Sequence, residues 1–318
     1  MKSIIPPVPL DLLKQELTPE KFVRKTNHDD NYIYIFTAKD SPNLMLELGR
    51  LREIAFRAAG GGTGKEVDID EYDTGEVPYK QLIVWSNKYE EIIGGYRFIL
   101  CKDAKKDEKG IPKISTAEIF EFSEKFINEY LPFTIELGRS FIQPNYQYTG
   151  KSSKGLFALD NLWDGLGALI VLYKDIKYFF GKVTMYPKFN TFGRDLILYF
   201  LYRYFGDEEN LVKPKFPIKI QTPIEKLEGI FKYSTYRENY KVLVSELKKL
   251  GEIIPPLINS YMNLSSTMKV FGTSLNKNFG NVEETAILIT IEDIFKVKKE
   301  RHIANFEIPS GFKLNGSK

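Results

Sequence analysis

The run FTIELGRS places Glu136, Gly138, Arg139 and Ser140 inside a stretch that otherwise reads as a core strand. A carboxylate and a guanidinium within a strand are disfavoured unless they are paired or functional, so this run carries more information than any other in the chain. Period-2 geometry puts Glu136, Gly138 and Ser140 on one face and Arg139 on the other, unless Gly138 marks a bulge. A bulge would bring both charges to one cleft and leave a backbone N–H free. An ion pair spanning a sheet edge is the alternative, and the residues alone leave both readings open.

A second concentration of charge is EVDIDEYD, which holds Glu66, Asp68, Asp70, Glu71 and Asp73. It lacks the central Gly and the distal bidentate Glu of a calcium loop, so no metal site is expected there. A solvated acidic loop is one reading; the other is pairing with Arg52, Arg57 and Arg97 on flanking elements. GGGTGK at 60–65 has the glycines and the lysine of a phosphate loop. Ala59 and Glu66, however, stand where that loop needs Gly and Ser/Thr, and the run follows a helix rather than a strand. It reads as a helix-ending loop that could cover a site. Cys101 has no His near it in sequence and is expected to be a buried structural thiol. With that one cysteine and only His28 and His302, a Cys/His zinc site has too few ligands, and both histidines are expected at the surface.

The elements that would hold these residues follow from periodicity. Tyr32 to Ala38 reads as a strand, and Asn43 to Ala59 as a helix with Leu44, Leu48, Leu51, Ile54 and Ala55 at helical spacing. Lys80 to Ser86 and Ile92 to Lys102 form a hairpin around Asn87 and Lys88. Ala117 to Leu131 is helical in pattern, Phe133 to Ser140 extended, Leu156 to Leu172 helical, Tyr178 to Met185 a strand and Phe192 to Phe205 an apolar helix whose aromatic residues read as core. Pro223 to Leu250 gives one or two amphipathic helices, Pro255 to Leu264 a short one, and Ala286 to Ile291 a last strand. Helices between strands make crossovers, so the expected fold is α/β: one mixed sheet covered by helices, spanning 31–305, with a helical insertion near 223–265. Residues 1–30 and 306–318 read as loose extensions.

Composition narrows the function. The 318 residues carry 45 Lys+Arg against 42 Asp+Glu, a net +3, which gives no global reason to expect nucleic acid. The most apolar stretches, such as Gly165 to Tyr173, fall well short of the roughly 18 residues of a membrane span, and the proline-bearing N-terminus is no signal peptide. A reduced, cytoplasmic protein is expected, with any membrane contact peripheral.

Taken in order, several short motifs resemble the acyltransferase branch of the GNAT fold, and within it the autoinducer-synthase-like family that includes ornithine-lipid and glycine-lipid N-acyltransferases, often labelled hemolysins. These are Arg52 followed by Phe56, Asp70 and Asp73 ahead of the strand LIVW, Gly94-Gly95-Tyr96-Arg97, ELGRS at 136–140, LWDGL at 162–166 and FFGKVTMY at 179–186. The resemblance covers about Leu48 to Ile291. Gly150 to Phe157 departs from the acetyl-CoA enzymes by lacking their pyrophosphate-binding spacing.

The resemblance implies a GNAT-like sheet and a bacterial N-acyltransferase that moves a fatty acyl chain, 3-hydroxylated chains included, from acyl carrier protein to the amine of an amino acid such as glycine or ornithine. No bound cofactor is implied; the acyl thioester is a substrate. It also implies Glu136 as a base acting directly or through water, backbone amides near Gly138 to Ser140 as the oxyanion site with Arg139 beside them, and Arg52, Phe56, Asp70, Asp73 and Arg97 around the acceptor. Lys151 and Lys154 could meet an acidic carrier. Acyl-CoA as donor, or a non-enzymatic membrane-acting protein, are the alternatives.

Overall fold

Glu16 ends the first helix, α1 (Leu10–Glu16), and its carboxylate accepts from the backbone N–H groups of Asn43 (3.1 Å) and Leu44 (2.8 Å), which open the helix α2 (Pro42–Ala59). A side chain outside α2 thus satisfies donors that every helix start leaves without intrahelical partners. The strands β1 (Phe22–Lys25) and β2 (Tyr32–Phe36) lie between these helices and pair antiparallel. The first thirty residues are therefore built into the fold, against the sequence expectation of a loose extension: Leu13 and Val23 are buried, and Lys2 N–H donates to Gly64 O. The computed structural model describes residues 1–108, 110–147, 155–304 and 306–313.

After α2 come α3 (Glu71–Thr74), β3 (Lys80–Ser86), β4 (Glu91–Leu100), β5 (Phe120–Phe122), β6 (Thr134–Ile142), α4 (Ala158–Leu172), β7 (Tyr178–Met185) and α5 (Thr191–Phe205). There follow β8 (Val212–Pro214), α6 (Ile224–Ile230), α7 (Tyr236–Lys249), α8 (Pro256–Met262), β9 (Lys269–Asn276), β10 (Val282–Thr290) and α9 (Lys296–His302). The helix expected over Ala117 to Leu131 is instead a 3-10 turn, the short strand β5 and a π-helical turn over Phe126–Tyr130. Tertiary partners override the helical pattern there, because β5 pairs with β8 while Phe126 packs against Phe180 and Phe271. Strand β9 also lay outside the sequence reading.

Eight strands form one sheet in the order β1-β2-β3-β4-β6-β7-β10-β9. Every neighbouring pair is antiparallel except β6 and β7, which run parallel and are joined through α4. The expected mixed sheet covered by helices is what forms. One face packs on α4, α5 and the α6–α8 segment through residues such as Leu82, Phe98, Leu137, Phe179, Leu196 and Leu247. The opposite face carries α2 at one end, through Leu44, Leu48, Leu51 and Phe56, and an aromatic group around Phe120, Phe126, Phe180 and Phe271 at the other.

The parallel pair is short. Its register runs from Thr134↔Tyr178 to Leu137↔Gly181 and ends there, although β6 continues to Ile142 and β7 to Met185. Beyond Leu137 the two strands part, and each keeps its other neighbour, β4 or β10. The sheet therefore opens along one seam.

Candidate active site

A chain of alternating charges runs from α2 to β6. Arg52, fully buried on α2, donates to both carboxylate oxygens of Asp73 at 3.2 Å and to the Gln81 side chain. Arg97 on β4 pairs with Asp73 (3.1 Å) and Asp70 (2.6 Å). Arg139 on β6 continues to Asp70 (3.4 Å) and ends on Asp68 (2.9 Å). Asp70 also caps α3, since its carboxylate accepts from Tyr72 N–H while Asp73 accepts from the Asp70 N–H. Burial alone would push the Asp73 carboxyl up, but the guanidinium groups of Arg52 and Arg97 outweigh it and hold that carboxyl well below the usual range. For Asp68 burial wins and the carboxyl titrates higher than usual, with Arg139 offsetting part of the effect.

Arg139 reaches this chain because of a bulge. Between the pairs Gly95↔Phe141 and Arg97↔Gly138, two residues of β6 oppose one of β4, and Arg139 adopts φ of 52°. A left-handed residue in a strand turns its side chain from the expected face, so Arg139 joins Arg97 and Glu136 on one side of the sheet. Its guanidinium sits 4.2 Å over the ring of Phe279, which packs edge-on against Phe56 at 5.0 Å. The bulge expected at Gly138 is thus one residue further on.

Glu136 is fully buried and its neighbours all donate to it: the Tyr79 hydroxyl, Ser115 N–H and Oγ (3.3 Å each) and Thr116 N–H (2.7 Å). Burial, and then the Glu136 charge, push the Tyr79 phenol far above its ordinary value, so it keeps its proton.

The glycine-rich loop carries its own anion. The Glu53 carboxylate accepts from Thr63 N–H (3.1 Å), Thr63 Oγ1 (2.8 Å) and Gly64 N–H (2.7 Å). Donors of the kind that would cradle a phosphate are spent within the chain, which agrees with the helix-ending reading of GGGTGK.

Where β6 and β7 part lies a small cleft, partly open to solvent. Leu137, Phe179, Val183, Ile287 and Ile289, together with Leu257 and Tyr261 of α8, give it an apolar end, while Gly138, Arg139, Ser140 and Lys182 give it a polar mouth. The cleft thus joins an apolar lining to a polar mouth, the usual make-up of a site for a ligand with apolar and polar parts. Among the described residues, no group of His, Cys, Asp and Glu that could hold a metal ion is found.

Comparison with known proteins turns this geometry into a family assignment. Residues 51–154 match the model of the acetyltransferase (GNAT) domain. A glycine N(alpha)-acyltransferase of Phocaeicola vulgatus is 56% identical over 306 residues, covering 96% of this chain and 94% of the relative. One of Bacteroides thetaiotaomicron is 58% identical, with 96% and 91% covered. The chain belongs to this family of GNAT-fold N-acyltransferases. The crystal structure of the acyl-homoserine-lactone synthase LasI aligns over 81% of the enzyme and 88% of that chain, with 13% identity and a TM-score of 0.38.

The enzyme brings Arg52, Asp70, Asp73, Arg97 and Arg139 together as one network and sets Ser140 at the cleft mouth. Phe56 packs beneath Phe279 and Phe141 rather than at the cleft. Arg57 pairs with Glu53 and not with the acidic run. Lys151 and Lys154 lie outside the described residues. Cys101 is buried, and burial raises its thiol far above the ordinary value, as a structural thiol requires. His302 corrects the surface expectation: it is buried, with Nδ1 2.8 Å from Asp164. Sequence reasoning missed Tyr79, Ser115, Lys182, Glu284 and Phe279. A signal existed for two of them, since Lys182 and Glu284 are charges inside apolar strands, as Glu136 and Arg139 are.

Proposed function

We propose that the enzyme transfers a fatty acyl group, 3-hydroxylated chains included, from acyl carrier protein to the α-amine of glycine, giving an N-acylglycine for aminolipid synthesis. The observation that carries the acceptor is the pair of relatives named glycine N(alpha)-acyltransferase, matched across 96% of the chain. The preference for a carrier over coenzyme A rests on the sequence of 150–157, which lacks the spacing that grips a pyrophosphate.

The amine attacks the thioester carbonyl, the C–N bond forms and the C–S bond breaks. The acceptor starts as an ammonium: one proton passes toward Glu136 through the Ser115 hydroxyl or a water, which frees the amine to attack, and a second leaves with the thiolate as the thiol, so that the amide nitrogen keeps the third. Ser115 Oγ lies 3.7 Å from where a Cβ on Gly138 would stand, which sets that hydroxyl beside the mouth. Backbone N–H groups near 138–140, where the bulge interrupts the ladder with β4, stabilise the oxyanion in this reading. The charge chain holds this stretch still by tying Arg139 to α3 and α2. No described helix is long and apolar enough to cross a membrane.

The test is a direct donor and acceptor comparison. Purified enzyme is given matched acyl groups on acyl carrier protein and on coenzyme A, with glycine or ornithine, and products are identified by mass spectrometry. N-acylglycine from the carrier-bound donor is expected. Product from the coenzyme A donor alone would replace the carrier, and N-acylornithine alone would replace glycine.

A further inference from the structure

Two cations line the cleft among the described residues, Arg139 and Lys182, and they are engaged differently. The Arg139 guanidinium is committed to Asp68, Asp70 and the Phe279 ring. The Lys182 ammonium has one ion-pair partner among the described residues, Glu284 at 2.9 Å. An ammonium carries three donors in rotatable positions, so this partner leaves two of them for a ligand. Glu284 is itself fixed, because Asn276 Nδ2 donates to it at 2.8 Å and Thr184 Oγ1 at 3.4 Å.

The position of the pair matters as much as its partners. Lys182 follows Gly181, the last residue of β7 in register with β6, so it stands where the sheet opens, across from Gly138, Arg139 and Ser140. Its side chain is 7% exposed and that of Glu284 4%. Burying an ion pair costs desolvation that apolar residues of the same size would avoid, so stability gives little reason for this one. The mouth of a cleft that must hold an anionic group gives a reason. The three arginines of the network have fewer donors to spare, for Arg97 and Arg139 each face two aspartates and Arg52 is held by Asp73 and Gln81, whereas Lys182 faces one carboxylate.

We propose that Lys182, oriented by Glu284, binds the α-carboxylate of the amino acid whose amine is acylated. This rests on the reading of the acceptor as an α-amino acid such as glycine, where one carbon separates amine from carboxylate. A carboxylate held on Lys182 therefore sets the amine at the mouth, facing the thioester carbonyl at Gly138 to Ser140. Lys182 is the specificity-determining residue for the acceptor, and Glu284 is a positioning residue that acts through it.

The experiment uses the full chain with the acyl thioester that supports wild-type turnover. Michaelis parameters are measured for glycine and for glycinamide, an amine of equal size without the carboxylate. Wild type is expected to prefer glycine. Lys182→Met should raise the KM for glycine about ten- to a hundredfold, the weight of a lost charge-assisted hydrogen bond, leave the donor KM unchanged and abolish the preference over glycinamide. Lys182→Arg should keep part of that preference, and Glu284→Gln should raise the glycine KM less than Lys182→Met does. Since Lys182→Met leaves Glu284 buried and unpaired, Lys182→Met/Glu284→Met is made beside it, and circular dichroism confirms folding. Folded variants that keep the wild-type preference for glycine overturn the anchor alone. A wild-type enzyme that acylates no α-amino acid overturns both the anchor and the functional reading it rests on.

Discussion

Asp73 is the residue on which the charge network turns, since it contacts Arg52, Arg97 and Gln81 together. Asp73→Asn leaves two buried guanidinium groups short of a partner, and urea unfolding at pH 7 should show a loss of about 3–5 kcal/mol. The pH dependence has a definite sign. The folded-state Asp73 carboxyl lies well below its unfolded value of about 3.9, so its contribution is complete above that pH and fades as pH falls toward the folded value. The gap between wild type and Asp73→Asn should therefore narrow below about pH 4. Asp68 has the opposite shift: burial raises its carboxyl, so its ionisation at neutral pH opposes folding, and Asp68→Asn should cost less than Asp73→Asn in the same assay. Equal losses for the two variants would contradict this division of roles. The aspartates were visible in sequence as an acidic run. Pairing with Arg52 and Arg97 was one of two readings of that run, and the choice between it and a solvated loop needed the fold, because the partners lie on α2, β4 and β6, far apart along the chain.

At the scale of elements, the cleft depends on β6 and β7 pairing closely and then parting. Gly181 permits the close approach, since a Cβ there would stand 2.7 Å from the Leu137 carbonyl oxygen. Gly181→Ala should push the strands apart at the point where the seam begins, lowering thermal stability and raising the KM for the acyl donor more than that for the acceptor. A variant with wild-type stability and donor KM would show that the seam is not fixed by this contact. Most elements were legible in advance: α2, β3, β6, β7 and α5 fall within a few residues of their periodicity-based bounds. The failures share a cause. Ala117 to Leu131 has a helical pattern but finds strand and aromatic partners in β8, Phe180 and Phe271. Strand β9, interrupted at Gly272 with φ of 98°, is too irregular for a period-2 reading, and it takes its place by pairing with β10.

At the scale of the whole molecule, one sheet is shared by two functions. One face carries the apolar lining of the cleft beneath α8, the other the charge network, and the seam between β6 and β7 joins them. The motif order at Arg52, Asp70, Asp73, Arg97 and 136–140 made the family legible, while the cleft needed the fold, since Tyr261 of α8 and Lys182 of β7 line it from distant parts of the chain. The central claim is acyl transfer to the amine of glycine, with Glu136 in the proton route. The most direct measurement is mass spectrometry of lipids from a heterologous bacterial host expressing the enzyme, beside the Glu136→Gln variant. The account predicts new N-acylglycines with the wild type and a marked loss with a folded Glu136→Gln. No new N-acyl amino acid from well-expressed wild type, or equal amounts from both proteins, would contradict it.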